Sequence, residues 1–360
     1  MNDRNNKLGH SSISRKDFFK LAGGALGLGV LSYYLGLRDQ QKPSPPDANA
    51  PDYIDGGIGL PVFRGPYLQK DAQLAAFLFT ADLSALTALC DQTLNALEAS
   101  PFKYVPLMSD VLLVYADMLV SSLEERDAQV GLIPETEVSF WILTVAMQKT
   151  SNGYVANHLA WFLPYLLVDE GNSIATGREV YGFNKQAGEF NKPQEIQSPQ
   201  FTTDVLGFKQ FNPAAIARKE RLLELNSSSD ETSQSTWKDW NFAKSELSNA
   251  LLTNVRSDLG PNIMEFATRA AIDHIPLAFL KQFRHAGNTR IACYQTIVEA
   301  SLQVKEFYDG GLFVYPHILK INPLDSHPLA RKLGLKQEQA STFGAWLKVD
   351  FILGEGNEFE

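Results

Sequence analysis

The chain has 360 residues, of which 44% are hydrophobic and 20% are charged, so it can build a sizeable core and is not expected to be disordered. Its net charge of −9 argues against a nucleic-acid partner, and its two cysteines exclude a disulfide scaffold or a metal site built from cysteines. At roughly 150 residues per domain, the length corresponds to about two domains or one large one.

The first fifty residues have the layout of an export signal followed by a linker. A basic segment at residues 14–20 (Ser-Arg-Lys-Asp-Phe-Phe-Lys) precedes a glycine-rich apolar run at residues 21–37. The basic segment resembles a twin-arginine signal with Lys16 in place of the second arginine, which implies export of the folded protein by the twin-arginine machinery. Residues 40–51 are a polar, proline-rich linker. We therefore predict an exported protein, located in the periplasm or its equivalent and either cleaved or tethered to the membrane by residues 1–50.

The remaining residues, 51–360, indicate many strands and a few helices. Apolar, β-branched and aromatic runs predict strands at residues 73–80, 111–120, 137–147, 159–168, 290–304, 311–321 and 346–353. Pro164 suggests that the fourth of these is an edge strand or an irregular one. Asp82 is a candidate N-cap for a helix that reaches about residue 98. Helices are also expected at residues 213–225 and 241–255.

The segment at residues 226–236 is polar and of low complexity, so we expect a mobile loop there. The sequence has no βα alternation, no phosphate-binding glycine loop and no dinucleotide fingerprint. Its six histidines lack the spacings that are typical of helical metal sites, so no metal is predicted. The pattern favours a mainly β or α+β domain with mainly antiparallel strands.

The most specific motif lies at residues 169–186. Gly177-Arg178-Glu179 is followed by Phe183-Asn184-Lys185. This spacing resembles the acetoacetate decarboxylase superfamily, in which a Gly-Arg-Glu block precedes an aromatic residue, a proline and a nucleophilic lysine. Weaker similarity elsewhere extends the resemblance over roughly residues 60–355. It implies an antiparallel β barrel or cone with a few peripheral helices, a homo-oligomer, and Lys185 as the nucleophile.

The resemblance also implies a chemistry. An amine attacks a ketone only when it is unprotonated, and at the ordinary lysine pKa of about 10.4 only about one amine in a few thousand is neutral at pH 7. Burial or a neighbouring cation shifts this balance, as in acetoacetate decarboxylase itself. The resulting imine withdraws electrons from a β-carboxylate, carbon dioxide leaves, and hydrolysis returns the lysine. We therefore expect decarboxylation of a β-keto acid through Lys185 without a cofactor.

Further site residues follow from the same resemblance. Glu135 or Glu137 matches the family's proton-handling glutamate, and we favour Glu137 as the second catalytic residue. The residues expected to bind substrate are Arg64, Phe183, Leu167 and Gln186.

The chain departs from the family pattern at three places. Gln186 stands where the decarboxylases have a second lysine, and Asn184 replaces the usual proline. The place of the family's active-site arginine falls near Ala72, with Lys70 as the nearby cation. Two alternatives to decarboxylation therefore stay open. One is an imine-forming aldolase or dehydratase that acts on a larger carbonyl compound without acetoacetate's small carboxylate, and the other is a non-catalytic binder of a small apolar ligand.

Overall fold

Strands make up most of the regular structure. A computed structural model of the chain describes residues 50–54, 62–151, 153–229, 233–234, 236–259, 263–269 and 275–359. The strands are β1 (Tyr67–Thr80), β2 (Phe102–Pro106), β3 (Asp110–Ser122), β4 (Ile133–Thr150), β5 (Gly153–Val168), β6 (Lys185–Ala187), β7 (Glu189–Asn191), β8 (Phe201–Gly207), β9 (Arg218–Ser227), β10 (Leu277–His285), β11 (Asn288–Leu312), β12 (His317–Ile321), β13 (Glu338–Ala340) and β14 (Phe343–Phe359). The α-helices are α1 (Leu83–Gln92), α2 (Glu125–Ala128), α3 (Gly171–Thr176), α4 (Trp240–Leu251), α5 (Ile263–Arg269) and α6 (Leu329–Leu333). The prediction of a mainly β fold is confirmed.

Within the described residues, part of the larger sheet closes into a ring. This sheet has nine strands in the order β2-β4-β3-β1-β14-β11-β10-β5-β6, and β4 also pairs with β5. The strands β4, β3, β1, β14, β11, β10 and β5 therefore return on themselves, which is the arrangement of a barrel or cone. The pairings are mainly antiparallel, as predicted, but β10 with β5 and β5 with β6 are parallel, so the sheet is mixed.

A second, smaller sheet shares a core with the ring. It has five strands in the order β13-β12-β9-β8-β7. The main apolar cluster contains Phe77 and Phe140 from the ring together with Leu223 and Leu319 from the smaller sheet, all of them buried. Burial of side chains from both sheets in one cluster is what joins the two layers.

A separate apolar cluster surrounds the segment that leads to Lys185. It contains Tyr67 of β1, Leu166 of β5, and Tyr181 and Phe183 from the motif segment. Because these side chains are buried together, the residues just before Lys185 are held in place by packing.

Local sequence signals predicted several elements, and two of them wrongly. The strand predicted at residues 311–321 is not continuous, because β11 ends at Leu312 and β12 begins at His317. Asp82 caps α1, since its side chain accepts a hydrogen bond from the backbone N–H of Ser84. The helix expected at residues 213–225 is wrong, because β9 occupies Arg218–Ser227. Leu223 and Leu225 of this strand point into the core, with the half-buried Glu224 between them, and that alternation belongs to a strand.

Pro164 lies inside β5 at a point where no ladder hydrogen bond is needed. One edge of β5 pairs with β4. The other edge pairs first with β10, at Trp161 and Phe162, and then with β6 from Leu166 onward. Pro164 lies between these two partners, so its missing N–H interrupts no pairing. The strand is irregular, as predicted, but it is an interior strand of the sheet.

Some predictions concern residues that the structure does not describe. The export signal and linker at residues 1–50 lie outside the described residues except for Ala50, and the expected mobile loop at residues 226–236 is described only in part. Export, the twin-arginine partner and the homo-oligomer stay predictions. Among the helices that the structure describes, none is both long and apolar enough to cross a membrane.

His317 is buried between two phenylalanine rings. The centroid of its ring lies 4.7 Å from those of Phe77 and Phe313, and the residue is 2% exposed. Burial lowers the pKa of His317 to about 4, although the backbone of Tyr315 acts in the opposite direction. Protonation at low pH would therefore place a charge in an apolar core.

Acidification is expected to destabilise the protein through His317. The ordinary pKa of 6.5 applies in the unfolded chain, so the unfolded state binds more protons than the folded state between pH 6.5 and pH 4. The neutral His317 contributes about 3 kcal/mol to the free energy of unfolding. This contribution is fully present above pH 6.5 and is lost as the pH falls through 4. The variant His317→Leu cannot bind this proton, so its free energy of unfolding should vary less over that interval. Urea unfolding at both ends of the interval measures the difference, and equal pH dependence in the two proteins would contradict it.

Candidate active site

Lys185 follows a tight turn that begins at a capped helix. The side chain of Glu170 caps α3 by accepting a hydrogen bond from a backbone N–H of its first turn. A π-helical turn, Gly177–Tyr181, continues α3 directly and ends at Gly182, whose φ is 84°. The N–H of Gly182 donates to the carbonyl of Gly177 at 3.0 Å. This turn directs the chain into β6, which starts with Lys185.

The amine of Lys185 contacts a carboxylate and a hydroxyl inside the protein. Its Nζ lies 3.0 Å from Oε1 of Glu135 and 2.5 Å from Oγ of Ser173, and Oγ of Ser173 lies 2.6 Å from Oε1 of Glu135. The Lys185 side chain is 10% exposed and that of Glu135 is 5% exposed. The centroid of the Phe183 ring lies 5.2 Å from Nζ. A Cβ at Gly177 would lie 2.9 Å from Cδ of Lys185, so the glycine leaves room for the lysine stem.

A cavity lies beside this amine. It is a recess that is partly open to solvent. Lys185 lies on its wall together with Tyr67, Gln69, Glu135, Glu170, Tyr181 and Phe183. A concave site with mainly apolar walls and a few polar groups is typical of small-molecule binding. Among the described residues, no group of three or more His, Cys, Asp or Glu side chains could hold a metal ion.

Glu137, the glutamate favoured from the sequence, lies two residues beyond Glu135 on β4. Side chains two residues apart on a strand share a face, and of these two it is Glu135 that contacts the amine of Lys185. Although Glu137 keeps some exposed surface, burial raises the pKa of its carboxyl to about 7, while Lys185 lowers it and Glu135 raises it to smaller extents. A carboxyl with such a pKa can exchange a proton near neutral pH, so the catalytic role of Glu137 stays a prediction.

Replacing Glu137 with glutamine is expected to stabilise the protein above pH 7. The unfolded carboxyl has its ordinary pKa of 4.5, so between pH 4.5 and pH 7 the folded state binds more protons than the unfolded state. The corresponding stability is fully present below pH 4.5 and is lost as the pH rises through 7. Glutamine stays neutral throughout, so Glu137→Gln should gain about 2 kcal/mol over the wild type at the alkaline end and little at the acid end. Urea unfolding at both ends tests this, and an equal effect of the substitution at both would rule out the raised pKa.

Arg64, expected to bind substrate, is instead held in an ion-pair network. Its guanidinium lies 3.0 Å from Asp127 and 2.8 Å from Glu124, and its side chain is 45% exposed. Hydrogen bonds from Arg64 hold the pKa of Asp127 below its usual range. Arg64 is not among the described residues that line the cavity, although its neighbour Phe63 is.

Leu167 and Gln186 lie on the other face of the sheet from Lys185. In the parallel pairing of β5 with β6, Leu166 lies beside Lys185 and Leu167 beside Gln186. Because neighbouring residues of a strand point to opposite faces, Leu166 shares the face of Lys185, whereas Leu167 packs into the core between the two sheets. Of the four expected substrate-binding residues, the structure brings Phe183 to the cavity.

Several polar residues of the wall, among them Ser173 and Gln69, were not found from the sequence. Ser173 comes to the amine through the fold of α3, and the one local signal for it is the capping Glu170 three residues earlier. Gln69 lies on the wall, with its Oε1 buried and without a hydrogen-bond partner in the described part of the chain. Counting along the chain pointed to Ala72, but an irregularity between Gln69 and Ala72 shifts the register, and Ala72 is buried in another apolar cluster.

Solved structures share this architecture. No family model and no curated protein matches the sequence. An acetoacetate decarboxylase from Legionella pneumophila matches with a TM-score of 0.52 and 14% identity, over 87% of this chain and 93% of that one. The enduracididine biosynthesis enzyme MppR, complexed with the condensation product of pyruvate and imidazole 4-carboxaldehyde, matches with a TM-score of 0.51 and 12% identity, over 86% and 98%. An acetoacetate decarboxylase-like enzyme from Sphingomonas wittichii matches with a TM-score of 0.50 and 11% identity, over 85% and 99%. The chain therefore has the fold of acetoacetate decarboxylase-like proteins.

Proposed function

We propose that the protein is a lyase that forms an imine between Lys185 and the carbonyl group of a small molecule. The observation that carries this proposal is the position of Nζ, which lies at a cavity wall within hydrogen-bonding distance of Glu135 and Ser173. A nucleophile next to a group that can take its proton is the arrangement that covalent catalysis requires. The shared fold supports the proposal, because solved relatives of the same architecture are enzymes.

The contacts of Lys185 suggest how its amine becomes nucleophilic. Attack on a carbonyl carbon needs the lone pair of nitrogen, so a proton must leave Nζ. The hydroxyl of Ser173 contacts both the amine and Glu135, at 2.5 and 2.6 Å. The proton can pass through this hydroxyl, or directly, to the carboxylate. In this proposal Glu135 is the general base, and Glu137 is a second carboxyl close by.

The bond that breaks depends on the substrate. The iminium formed at Lys185 withdraws electrons from the bond to the β-substituent. From a β-keto acid carbon dioxide leaves, and from a β-hydroxy ketone either an aldehyde or water leaves. Decarboxylation and the aldolase or dehydratase alternative thus share one intermediate, and the proposed role of Lys185 is the same in each.

Reductive trapping tests the proposal. The full-length protein is incubated with acetoacetate, methyl acetoacetate or acetylacetone in the presence of sodium cyanoborohydride, and its peptides are mapped by mass spectrometry. We expect a stable adduct on Lys185 with at least one compound, and loss of this adduct in Lys185→Ala. Release of carbon dioxide or of an aldehyde in the absence of reductant then separates an enzyme from a protein that only binds.

Lys281 offers a matched control for this experiment. It is also mostly buried, with 16% of its side chain exposed, and its Nζ lies 2.8 Å from Glu358 and 5.4 Å from the centroid of the Tyr294 ring. Lys281→Ala should keep the adduct on Lys185. If Lys185→Ala is labelled as strongly as the wild type, or if no compound labels the wild type, Lys185 is not the nucleophile.

A further inference from the structure

The cations near the cavity are engaged by carboxylates elsewhere. Arg64 binds Asp127 and Glu124. Lys70 is close in sequence to Ala72, where the family's active-site arginine was expected. Its Nζ lies 3.9 Å from the carboxylate of Asp71, and its side chain is 44% exposed. Neither cation lies on the cavity wall.

Two further cations, Arg178 and Lys281, are also not part of the cavity wall. Arg178 is exposed, and its guanidinium lies 3.5 Å from the backbone carbonyl of Lys185. Lys281 pairs with Glu358. Lys185 is therefore the one cationic side chain among the described residues of the wall.

The carboxyl groups of the wall are unfavourable for an anionic substrate. Glu135 and Glu170 both line the cavity, so its two acidic groups outnumber its one amine. A substrate carboxylate placed there would lose water and meet groups of its own charge.

Four hydroxyl groups of the wall already donate to backbone carbonyls, those of Tyr67, Tyr181, Ser121 and Ser122. Tyr67 donates to the carbonyl of Phe63, and Tyr181 donates to the carbonyl of Gly354. The hydroxyl of Ser173 contacts two charged groups, Glu135 and Lys185. These hydroxyls therefore give an incoming anion little compensation for the water it loses.

We infer that the substrate is a neutral ketone or aldehyde. It carries no carboxylate on its reacting carbonyl carbon or one carbon away, as acetoacetate does. This inference rests on the imine-forming role of Lys185 proposed above. Gln69 agrees with it, because that residue supplies a neutral amide on a wall where a carboxylate-binding site would need a cation. A neutral β-hydroxy carbonyl compound fits these groups, and its cleavage or dehydration takes the place of decarboxylation.

The reaction balances with water as its only co-reactant. Starting from the ammonium form of Lys185, two protons leave with the carbonyl oxygen as water and the third stays on the iminium nitrogen. Glu135 then takes the proton of the β-hydroxyl, the bond between the α and β carbons breaks, and an aldehyde leaves. The electron pair of that bond forms the enamine, which regains the proton from Glu135. Water then hydrolyses the iminium, which releases the ketone and restores the ammonium group.

A pair of probes that differ in charge tests the substrate class. Acetoacetate and methyl acetoacetate carry the same ketone, but only the first has a carboxylate. The rate of reductive labelling at Lys185 is measured for each and divided by its rate with a lysine-containing peptide, which corrects for intrinsic reactivity. We expect the ester to label at least about tenfold faster than the acid, the effect of roughly 1.4 kcal/mol of charge repulsion. If the acid labels as fast or faster, the substrate class is wrong while the imine proposal stands; if neither labels, the proposed function itself fails.

Two variants locate the cause of this preference. Gln69→Lys adds a cation to the wall and should raise labelling by acetoacetate relative to the ester by about tenfold. An unchanged ratio in a variant that circular dichroism shows to be folded would overturn the charge argument. Lys70→Gln is the control, because Lys70 lies outside the wall and its loss should leave the ratio unchanged. A selective fall in acetoacetate labelling in this control would identify Lys70 as a carboxylate partner and overturn the inference.

Discussion

Replacing Glu135 with leucine is expected to lower the free energy of unfolding by about 3–5 kcal/mol, because the substitution leaves the amine of Lys185 buried without its carboxylate. The two side chains are 5% and 10% exposed, and their charged atoms lie 3.0 Å apart. The opposite substitution, Lys185→Met, removes the cation beside Glu135 and should cost a similar amount. Urea unfolding of the single variants measures both losses.

The double variant, Glu135→Leu with Lys185→Met, should recover most of this loss. An apolar pair of similar volume removes the desolvation penalty of both groups, so its stability is expected to lie within about 1–2 kcal/mol of the wild type or above it. Asp117 and Lys192 form a control pair nearer the surface, with charged atoms 2.9 Å apart and 35% and 42% of their side chains exposed. The coupling free energy of this pair, from the same set of single and double variants, should stay below about 1 kcal/mol. If Glu135→Leu is as mild as Asp117→Leu, the buried contact between Glu135 and Lys185 does not exist.

The buried pair of Glu135 and Lys185 is relevant to function as well as to stability. Two apolar residues would fill the same space without the cost of burying charge, so the retention of a lysine and a glutamate there is understandable if the site uses them chemically. The double variant should therefore be folded and unable to form the imine. That result would separate the chemical role of the pair from its role in folding.

The substitution Gly182→Ala is expected to lower the free energy of unfolding by more than about 3 kcal/mol. Gly182 has a φ of 84°, and a left-handed backbone costs a residue with a Cβ about 1–2 kcal/mol. A Cβ there would also lie 2.4 Å from Cα and 2.7 Å from N of Lys281, atoms of the β10 backbone that cannot rotate away. The variant can fold only if β10 shifts, which would disturb its packing against the turn before Lys185.

Gly131 separates the two causes of this effect. Its φ is 105°, but a Cβ built on it meets nothing within 4 Å. Gly131→Ala should therefore show the conformational cost alone, about 1–2 kcal/mol. Urea unfolding of the two variants gives the comparison, and equal losses would mean that β10 accommodates the extra methyl group.

Local patterns predicted correctly the parts of the fold that neighbouring residues determine, whereas the barrel or cone was predicted only from the family resemblance. The cap of α1 at Asp82 depends on a side chain and an N–H two residues away. Closure of the ring depends on β4 meeting β5 and on β5 running parallel to β10, and local periodicity contains no information on those partners. A helix was predicted at residues 213–225, but part of that segment is β9, which pairs with β8 and β12, and such pairing outweighs a local helical preference.

The same distinction applies to the site. Lys185 and Phe183 are two residues apart in the sequence, directly after one turn, so a motif of fixed spacing could place both of them. The choice between Glu135 and Glu137 could not be made from β4 alone, because both side chains point to the same face. Which of them reaches the amine depends on how β4 lies relative to α3 and β6, a relation that only the folded chain defines.

The strands that terminate the two sheets have a consequence for the behaviour of the protein in concentrated solution. β2 has five residues, and β6, β7 and β13 have three each. An unpaired strand edge is a template on which another chain can add a strand, and a short edge offers few free N–H and C=O groups. Folded molecules should therefore have little tendency to join edge to edge, and aggregation should follow the rate at which longer strands become exposed by partial unfolding.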